Sequence, residues 1–441
     1  MSIKNKKIII LLSDTGIFFA SLSFIISLRY PNNFYANFNL HLIPFSILLP
    51  IWLLVFYISG LYEPKVLKNT TGFLQTIIGA LIINTLLSVS FFYLTPFFGI
   101  TPRANLLLFL ITFFVLEVLW RGSFNSLLYR QIKNHILLIG QSISTQKIKQ
   151  LITENPQLGF NIIAHIDSNN ILENTDKIEG LIKTKKIQII IIPQEHKGSL
   201  LKIKSIYNKL YFNLEIFSTE KFFEATFQKV PLAEINELWF LDYTAQNKKN
   251  YLLIKRLCEI FLASFLLIIL SPLFLLISVA IKLNSKGHII YKQIRIGKKE
   301  KPFTLLKFRS MINNAEKNGA VWSSKNDSRI TYIGHLLRKS HLDELPQLIN
   351  ILKGELSFVG PRPERPEFTK ELEKNIPFYN MRHLLNPGVT GWAQINFRYG
   401  SSHNDAREKL EYELYYIKNC SLSFDLSIII KTIKTILFTP K

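Results

Sequence analysis

Four almost unbroken apolar stretches fill the first part of the chain: Ile8–Ser27, Leu42–Leu61, Phe73–Leu94 and Ala104–Trp120. Each is close to the ~20 residues that a helix needs to cross the hydrocarbon core. The first is too long for a signal peptide and has no small-residue cleavage site, which favours an anchor. Lys4, Lys6 and Lys7 precede it; Lys65 and Lys68 follow the second stretch; Arg121, Arg130 and Lys133 follow the fourth. The connections Tyr30–His41 and Thr95–Arg103 carry almost no Lys or Arg. The positive-inside rule then puts both ends of this block in the cytoplasm. Asp14 and Glu117 are acids within the spans, and the sequence gives them no task.

Beyond Arg130 the pattern changes to short apolar runs alternating with polar helical ones. His135–Ile139, Phe160–Ile166 and Ile187–Ile192 read as strands, a polar helix runs through about Glu154, and Tyr207–Phe217 reads as a helix-to-strand passage. This βαβ rhythm predicts a Rossmann-like sheet. Its first turn, Gly140-Gln-Ser-Ile-Ser, lacks the second and third glycines of a dinucleotide fingerprint, so a structural or regulatory module fits better than a nucleotide site. Asn236–Asn250 is polar and aromatic and reads as a linker.

A fifth apolar stretch, Ile260–Ile281, has basic residues on both flanks: Lys248, Lys249, Lys255 and Arg256 before it, Lys282, Lys286, Lys292 and Arg295 after it. Ser271-Pro272 falls at its middle, and a proline there breaks or kinks a helix. A re-entrant helix that enters and leaves on one face satisfies both flanks; a kinked fifth span is the alternative. The predicted fold is a membrane protein of α + α/β class. It has a four-helix transmembrane block over 1–130, a Rossmann-like middle domain and linker over 131–250, a re-entrant helix over 251–282 and an α+β catalytic domain over 283–441.

Composition sharpens this. Of 441 residues 48% are hydrophobic, with 34 Phe, and the net charge is +22. The charge accompanies membrane segments and no nucleic-acid motif appears, so the basic excess reads as cytoplasmic and not as a nucleic-acid surface. Cys258 and Cys420 form no CxxC, zinc spacing or disulfide framework.

The chemistry concentrates in Ser340–Pro366. An adjacent acid pair, Asp343–Glu344, precedes an apolar pattern (Leu345, Leu348, Ile349, Leu352) that ends at Lys353-Gly354, a C-cap signal. A strand-like Leu356-Ser-Phe-Val and a stiff Gly-Pro-Arg-Pro turn carrying Arg362 follow, with Lys307, Arg309, Arg329 and Arg338 upstream. Asp343 placed before a helix suits an N-cap, and the helix dipole there favours an ionised carboxylate. Acids that hold a metal or attack phosphorus, set among cations that hold phosphates, suit phosphoryl chemistry.

The ordered pieces Lys255-Arg256, Ser271-Pro272, Gln293–Gly297 (QxRxG), Lys307–Met311 (KFRSM), Leu342–Gln347 (LDELPQ), Val359–Pro363 (VGPRP) and Pro387–Gln394 (PGVTGWAQ) resemble the bacterial monotopic phosphoglycosyl transferases, or polyprenyl-phosphate sugar-phosphate transferases, in their large form. The resemblance runs from about Tyr251 to the end. It implies attack by a carboxylate on the β-phosphate of a UDP-sugar, release of UMP, and transfer of the phosphosugar to polyprenyl (undecaprenyl) phosphate, the initiating step of exopolysaccharide, capsule or O-antigen synthesis. It further implies Asp343 as nucleophile, Glu344 as its acidic partner at Mg²⁺, and Lys307, Arg309, Arg338 and Arg362 at the substrate phosphates. The membrane helix is expected to break at Ser271 and Pro272. The location implied is the bacterial inner membrane with the catalytic domain on the cytoplasmic face. Expected partners are UDP-sugar, polyprenyl phosphate and the lipid bilayer, without nucleic acid; a homo-oligomer is left open. Glu259 and Glu413 stand where the family usually has Asp, and His288 where it often has Pro; these departures touch reach and a local turn. Two other function classes stand beside this one: a non-catalytic membrane module sensing a nucleotide, and a membrane glycosyltransferase that releases UDP.

Overall fold

The structure is a computed structural model and describes residues 3–95, 103–130, 133–167, 175–198, 214–237, 239, 248–312, 327, 329–397 and 402–438. The chain divides into two compact units, Met1–Phe222 and Phe223–Lys441.

In the first unit the four apolar stretches form helices Ile3–Arg29, Phe34–Ser59, Thr71–Leu94 and Arg103–Arg130. All four are long and apolar enough to cross a membrane. Their shared core is aromatic: Phe18, Phe45, Trp52, Phe109 and Phe113 are buried and meet largely edge to face. The two acids left without a task flank one guanidinium. Arg121 donates to Asp14 at 2.7 Å and to Glu117 at 2.6 Å, and the Tyr62 hydroxyl donates to Asp14 at 2.7 Å. Charges inside a span persist when paired in this way.

The middle segment builds a parallel sheet in the order β2-β1-β3-β4, from β1 (Asn134–Ile139), β2 (Phe160–Ile166), β3 (Ile189–Ile192) and β4 (Glu215–Ser218). Of the central strands, β3 is buried end to end and β1 from Ile136 to Ile139, as a sheet covered on both faces requires. The predicted passage Tyr207–Phe217 is described only from Leu214 onward; residues 207–213 lie outside the described residues. At the mouth of the first turn Gly140 has φ +107°, and Pro193 lies where a Cβ would project. A proline ring thus packs where a dinucleotide fold keeps its close phosphate approach open. Membrane block and sheet are fastened by lysines. Lys6 Nζ donates to the carbonyls of Gln157 (2.9 Å) and Leu158 (3.0 Å), and Lys68 Nζ to that of Glu154 (2.8 Å). Helix Ile143–Glu154 ends at the Lys68 acceptor, so that ammonium meets one of its unsatisfied carbonyls, while Lys6 caps the 3₁₀ turn Pro156–Leu158 that follows.

The second unit starts earlier than the expected boundary near residue 250. The unit boundary falls within helix Thr219–Phe227, and Val230 and Leu232, with Trp239, join the core made by Leu410, Leu414 and Ile417. Of the predicted linker Asn236–Asn250, residues 238 and 240–247 lie outside the described residues. The fifth apolar stretch is two helices, Lys249–Ile269 and Ser271–Asn284, bent by 61° at Leu270. Pro272 sits in the first turn of the second helix, where a missing N–H costs least. The Ser271 hydroxyl donates to the Ile268 carbonyl at 2.8 Å and so occupies an acceptor that the break exposes. There follow an antiparallel hairpin of β5 (Ile290–Ile296) and β6 (Pro302–Phe308), and a parallel pair of β7 (Ser357–Val359) and β8 (Gly388–Thr390), set among short helices.

Candidate active site

The elements around the acid pair are held by helix Lys249–Ile269. Arg256 donates to the carbonyls of Ile351 (2.5 Å) and Leu352 (2.6 Å), the last turn of helix Gln347–Lys353, where a cation complements the dipole. That helix ends at Gly354, φ +80°, as its C-cap signal requires. Lys255 donates to the Val359 carbonyl at 2.7 Å and pairs with Asp425 at 3.0 Å. Glu259 accepts from the Ser357 hydroxyl and from the Phe358 amide. One helical face, residues 255, 256 and 259, therefore secures both the helix after the acids and the strand before the Gly-Pro-Arg-Pro turn. The Glu259 departure keeps its carboxylate within reach of β7.

Fully buried Asn350 joins the same helix to β6. It accepts from the Leu306 amide (3.0 Å) and donates to the Thr304 carbonyl (2.8 Å). This register brings Lys307 onto the acids. Helix Tyr332–Lys339 starts at a Thr331 cap and passes so close to Ser310 that a Cβ on Gly334 would clash with the Ser310 backbone. Its end turns at His341, which has a left-handed φ of +57°, a conformation that functional sites impose at some cost on a non-glycine residue. The 3₁₀ turn Leu342–Glu344 follows.

Asp343 lies inside that turn, buried at 8% exposure, and not at the helix N-cap expected for it. Pro346 occupies the N-cap position of helix Gln347–Lys353, which has no side-chain cap bond. The ring fixes the helical φ in advance, and an acid is not needed there. The Glu344 carboxylate receives Lys307 Nζ at 2.7 Å and Arg362 Nη2 at 3.3 Å. Burial pushes this carboxyl upward, but the Lys307 and Arg362 charges outweigh it and hold Glu344 well below the usual carboxylate range.

The other predicted cations divide. Arg338 donates to the Ser310 hydroxyl at 2.8 Å, on the rim of the same strand end. Arg309 is turned away: it donates to the Ser285 carbonyl (2.7 Å) and hydroxyl (2.9 Å) and to the Lys286 carbonyl (3.2 Å), just beyond helix Ser271–Asn284. In this geometry Arg309 binds the residues just past helix Ser271–Asn284. Arg329 pairs with Asp327 at 2.6 Å.

Comparison with known proteins bears on this arrangement. The profile of the family described as "Bacterial sugar transferase" matches residues 250–439. A UDP-glucose:undecaprenyl-phosphate glucose-1-phosphate transferase of Escherichia coli (strain K12) is 30% identical over 317 residues, 68% of this chain and 67% of that protein. A protein of the same description from Xanthomonas campestris pv. campestris is 30% identical over 353 residues, 73% and 71% of the two chains.

The chain belongs to the bacterial sugar transferase family.

A higher identity, 45% over 187 residues, is found with a UDP-N-acetylgalactosamine-undecaprenyl-phosphate N-acetylgalactosaminephosphotransferase of Aeromonas hydrophila, and that match spans 44% of the relative's length and 42% of this chain. In this sugar transferase the residues that sequence reasoning passed over are those behind Arg362. Pro361 and Pro363 have no N–H to give, so the turn is held through its carbonyls. Those of Val359, Pro361, Arg362, Pro363 and Glu364 accept from Lys255, the Gly388 amide, Arg382, Arg295 and the Ile296 amide. One signal was legible: Glu413 is an acid on the apolar face shared by Leu410, Leu414 and Ile417, where it needs a buried partner.

Mg²⁺ suits this donor set. Among the described residues no group of three or more His, Cys, Asp or Glu side chains could cage a metal. Mg²⁺ needs no such cage, because it takes one or two carboxylates and completes its shell with water and substrate phosphate. The adjacent carboxylates of Asp343 and Glu344, the latter kept ionised, are hard oxygen donors of that kind.

Proposed function

We propose that this sugar transferase moves a sugar 1-phosphate from a UDP-sugar to undecaprenyl phosphate, releasing UMP, and so starts the assembly of a surface glycan such as an exopolysaccharide, capsule or O-antigen. The observation that carries the reading is the buried Asp343–Glu344 turn with Lys307 and Arg362 on Glu344, in a unit that aligns with relatives named for this transfer. Asp343 attacks the β-phosphorus, and the bond from that phosphorus to the α,β-bridging oxygen breaks, so UMP leaves with the electron pair. The terminal oxygen of undecaprenyl phosphate then attacks the same phosphorus, the aspartyl–phosphorus bond breaks, and the carboxylate returns. Arg362 and Lys307 hold phosphate oxygens, Arg362 through a planar fork, and Arg338 lines the approach. Arg309 ties the end of β6 to the C-cap of helix Ser271–Asn284 through Ser285. Glu344 would hold Mg²⁺, which when bound neutralises diphosphate charge.

The bent helix pair Lys249–Ile269 and Ser271–Asn284 is read as re-entrant. With it, the basic flanks and the acids all lie on the cytoplasmic side of the bacterial inner membrane, where UDP-sugars are found. The test is the by-product from purified full-length protein given a panel of UDP-sugars and undecaprenyl phosphate. UMP is expected. Release of UDP would replace this reading with ordinary glycosyl transfer, and binding without either product would leave a sensing module.

A further inference from the structure

We infer that Arg382, held by Glu413, is a positioning residue that aims Arg362 at the substrate phosphates. This rests on the reading of Arg362 as a phosphate ligand. Arg382 and Glu413 are both 4% exposed. Arg382 Nε donates to Glu413 Oε2 at 2.8 Å and Nη2 to Oε1 at 2.7 Å, a two-pronged pairing that fixes the plane of the guanidinium. Nη1 donates to the Tyr379 hydroxyl at 2.6 Å, which removes the remaining freedom to rotate. In that fixed orientation Nη2 reaches the Arg362 main-chain carbonyl at 2.8 Å. The flanking residues are Pro361 and Pro363, so neither can help through an amide, and Arg382 donates directly to the carbonyl between them. The backbone of Arg362 is held from one side and its side chain reaches Glu344 on the other. A displacement of the carbonyl carries directly to the guanidinium.

Two features separate this from a merely buried ion pair. A pair needed only for stability has no reason to spend a donor on a turn 20 residues away in sequence; this one does, at the residue of the turn whose charged side chain reaches Glu344. The geometry also depends on a planar fork. A lysine at 382 keeps the charge but cannot grip Glu413 at two points and still reach the carbonyl along a set direction.

The test is UMP-release kinetics on the full chain, comparing Arg382→Lys in two backgrounds, the natural sequence and Arg362→Ala. If Arg382 acts through Arg362, Arg382→Lys lowers kcat/KM about 100-fold in the first, the scale of a misplaced catalytic contact. In the second it lowers it no more than about threefold, because the group it aims is gone. Equal losses in both backgrounds would overturn the inference. Should Arg382→Lys not fold, Tyr379→Phe removes one guanidinium bond and keeps the ion pair; its smaller loss must likewise vanish in Arg362→Ala. Amide exchange gives a readout free of turnover. In Arg382→Lys the peptide spanning 356–368 exchanges faster while helix Tyr332–Lys339 keeps its protection. Unchanged exchange of that peptide would also overturn the inference. If the natural sequence releases no UMP, the proposed reaction fails, and the exchange result alone decides the positioning role.

Discussion

Replacing Glu344 by Gln keeps the shape of the site and removes the charge that Lys307 and Arg362 converge on. Breaking a buried pair by removing one partner costs about 3–5 kcal/mol. Here the cost is smaller. The side chains of Lys307 and Arg362 are 19% and 33% exposed, so both recover some hydration, and the amide oxygen still accepts from Lys307. About 2 kcal/mol follows, a fall in Tm of roughly 4–8 °C for a unit of this size. Scans of the two proteins in the same detergent at one scan rate read it. Adding Lys307→Met to Glu344→Gln removes one of the stranded cations and restores part of the loss. The pH dependence has a definite sign. The folded carboxyl lies below its unfolded value, so its contribution is complete above the ordinary glutamate pKa of about 4.5 and fades as pH falls toward the depressed folded value. The gap between the two proteins therefore narrows in acid and is flat near neutrality. UMP release and its dependence on Mg²⁺ concentration weaken together. A Tm within a degree of the parent at neutral pH, with an unchanged metal titration, would refute both the electrostatic account and the place of Glu344 at the metal.

Asp343→Asn should abolish UMP release while leaving expression and membrane insertion intact, and the natural sequence given UDP-sugar without acceptor should yield a phosphosugar adduct on Asp343 by mass spectrometry; normal turnover of the variant would remove Asp343 as nucleophile. Ser271→Leu with Pro272→Leu should straighten the 61° bend and favour a full crossing. Cysteines introduced at Lys249 and Lys286, after replacement of Cys258 and Cys420, read the outcome: both stay protected from an impermeant outside reagent in the parent, and the position at 286 becomes labelled in the variant. Labelling of that position in the active parent would end the re-entrant reading. Gly334→Ala should drive a methyl into the Ser310 backbone and cost about 1–3 kcal/mol or more, seen as a lower Tm; an unshifted Tm would show that helix Tyr332–Lys339 is free to move away.

Much of this was legible because it depends on local rules. Four spans, the βαβ rhythm, the break at Ser271-Pro272 and the C-cap at Gly354 each follow from patterns within one stretch of chain. The cluster of Lys307, Glu344 and Arg362 was legible only as a set of residue types, since β6 and the acid turn meet through Asn350, an amide that looks like any surface polar residue in the sequence. Asp343 was expected as a cap because acids favour that position; Pro346 occupies it instead. Arg309 was placed beside Lys307 by its match to the family's basic strand end; its direction was not legible, because β6 ends at Phe308, and past a strand end alternation no longer sets where a side chain points. The packing of Val230 and Leu232 was not legible, because the short apolar run from Val230 to Ile235 shows no clear helix or strand period and its burial is decided by Leu410, Leu414 and Ile417 far along the chain.

Lys6 has a history as well as a place. The residue is 1% exposed, and its carbonyl partners stand 151 and 152 residues later in the chain. At ordinary rates of synthesis that separation takes roughly 8–30 s to bridge. During that interval the carbonyls that Lys6 meets in the folded unit do not yet exist. Once the turn at Gln157 and Leu158 exists, the same charge leaves water and becomes the clasp between bundle and sheet. The clasp thus joins one of the first side chains to be made with a turn that exists only after the whole helical block has been synthesised.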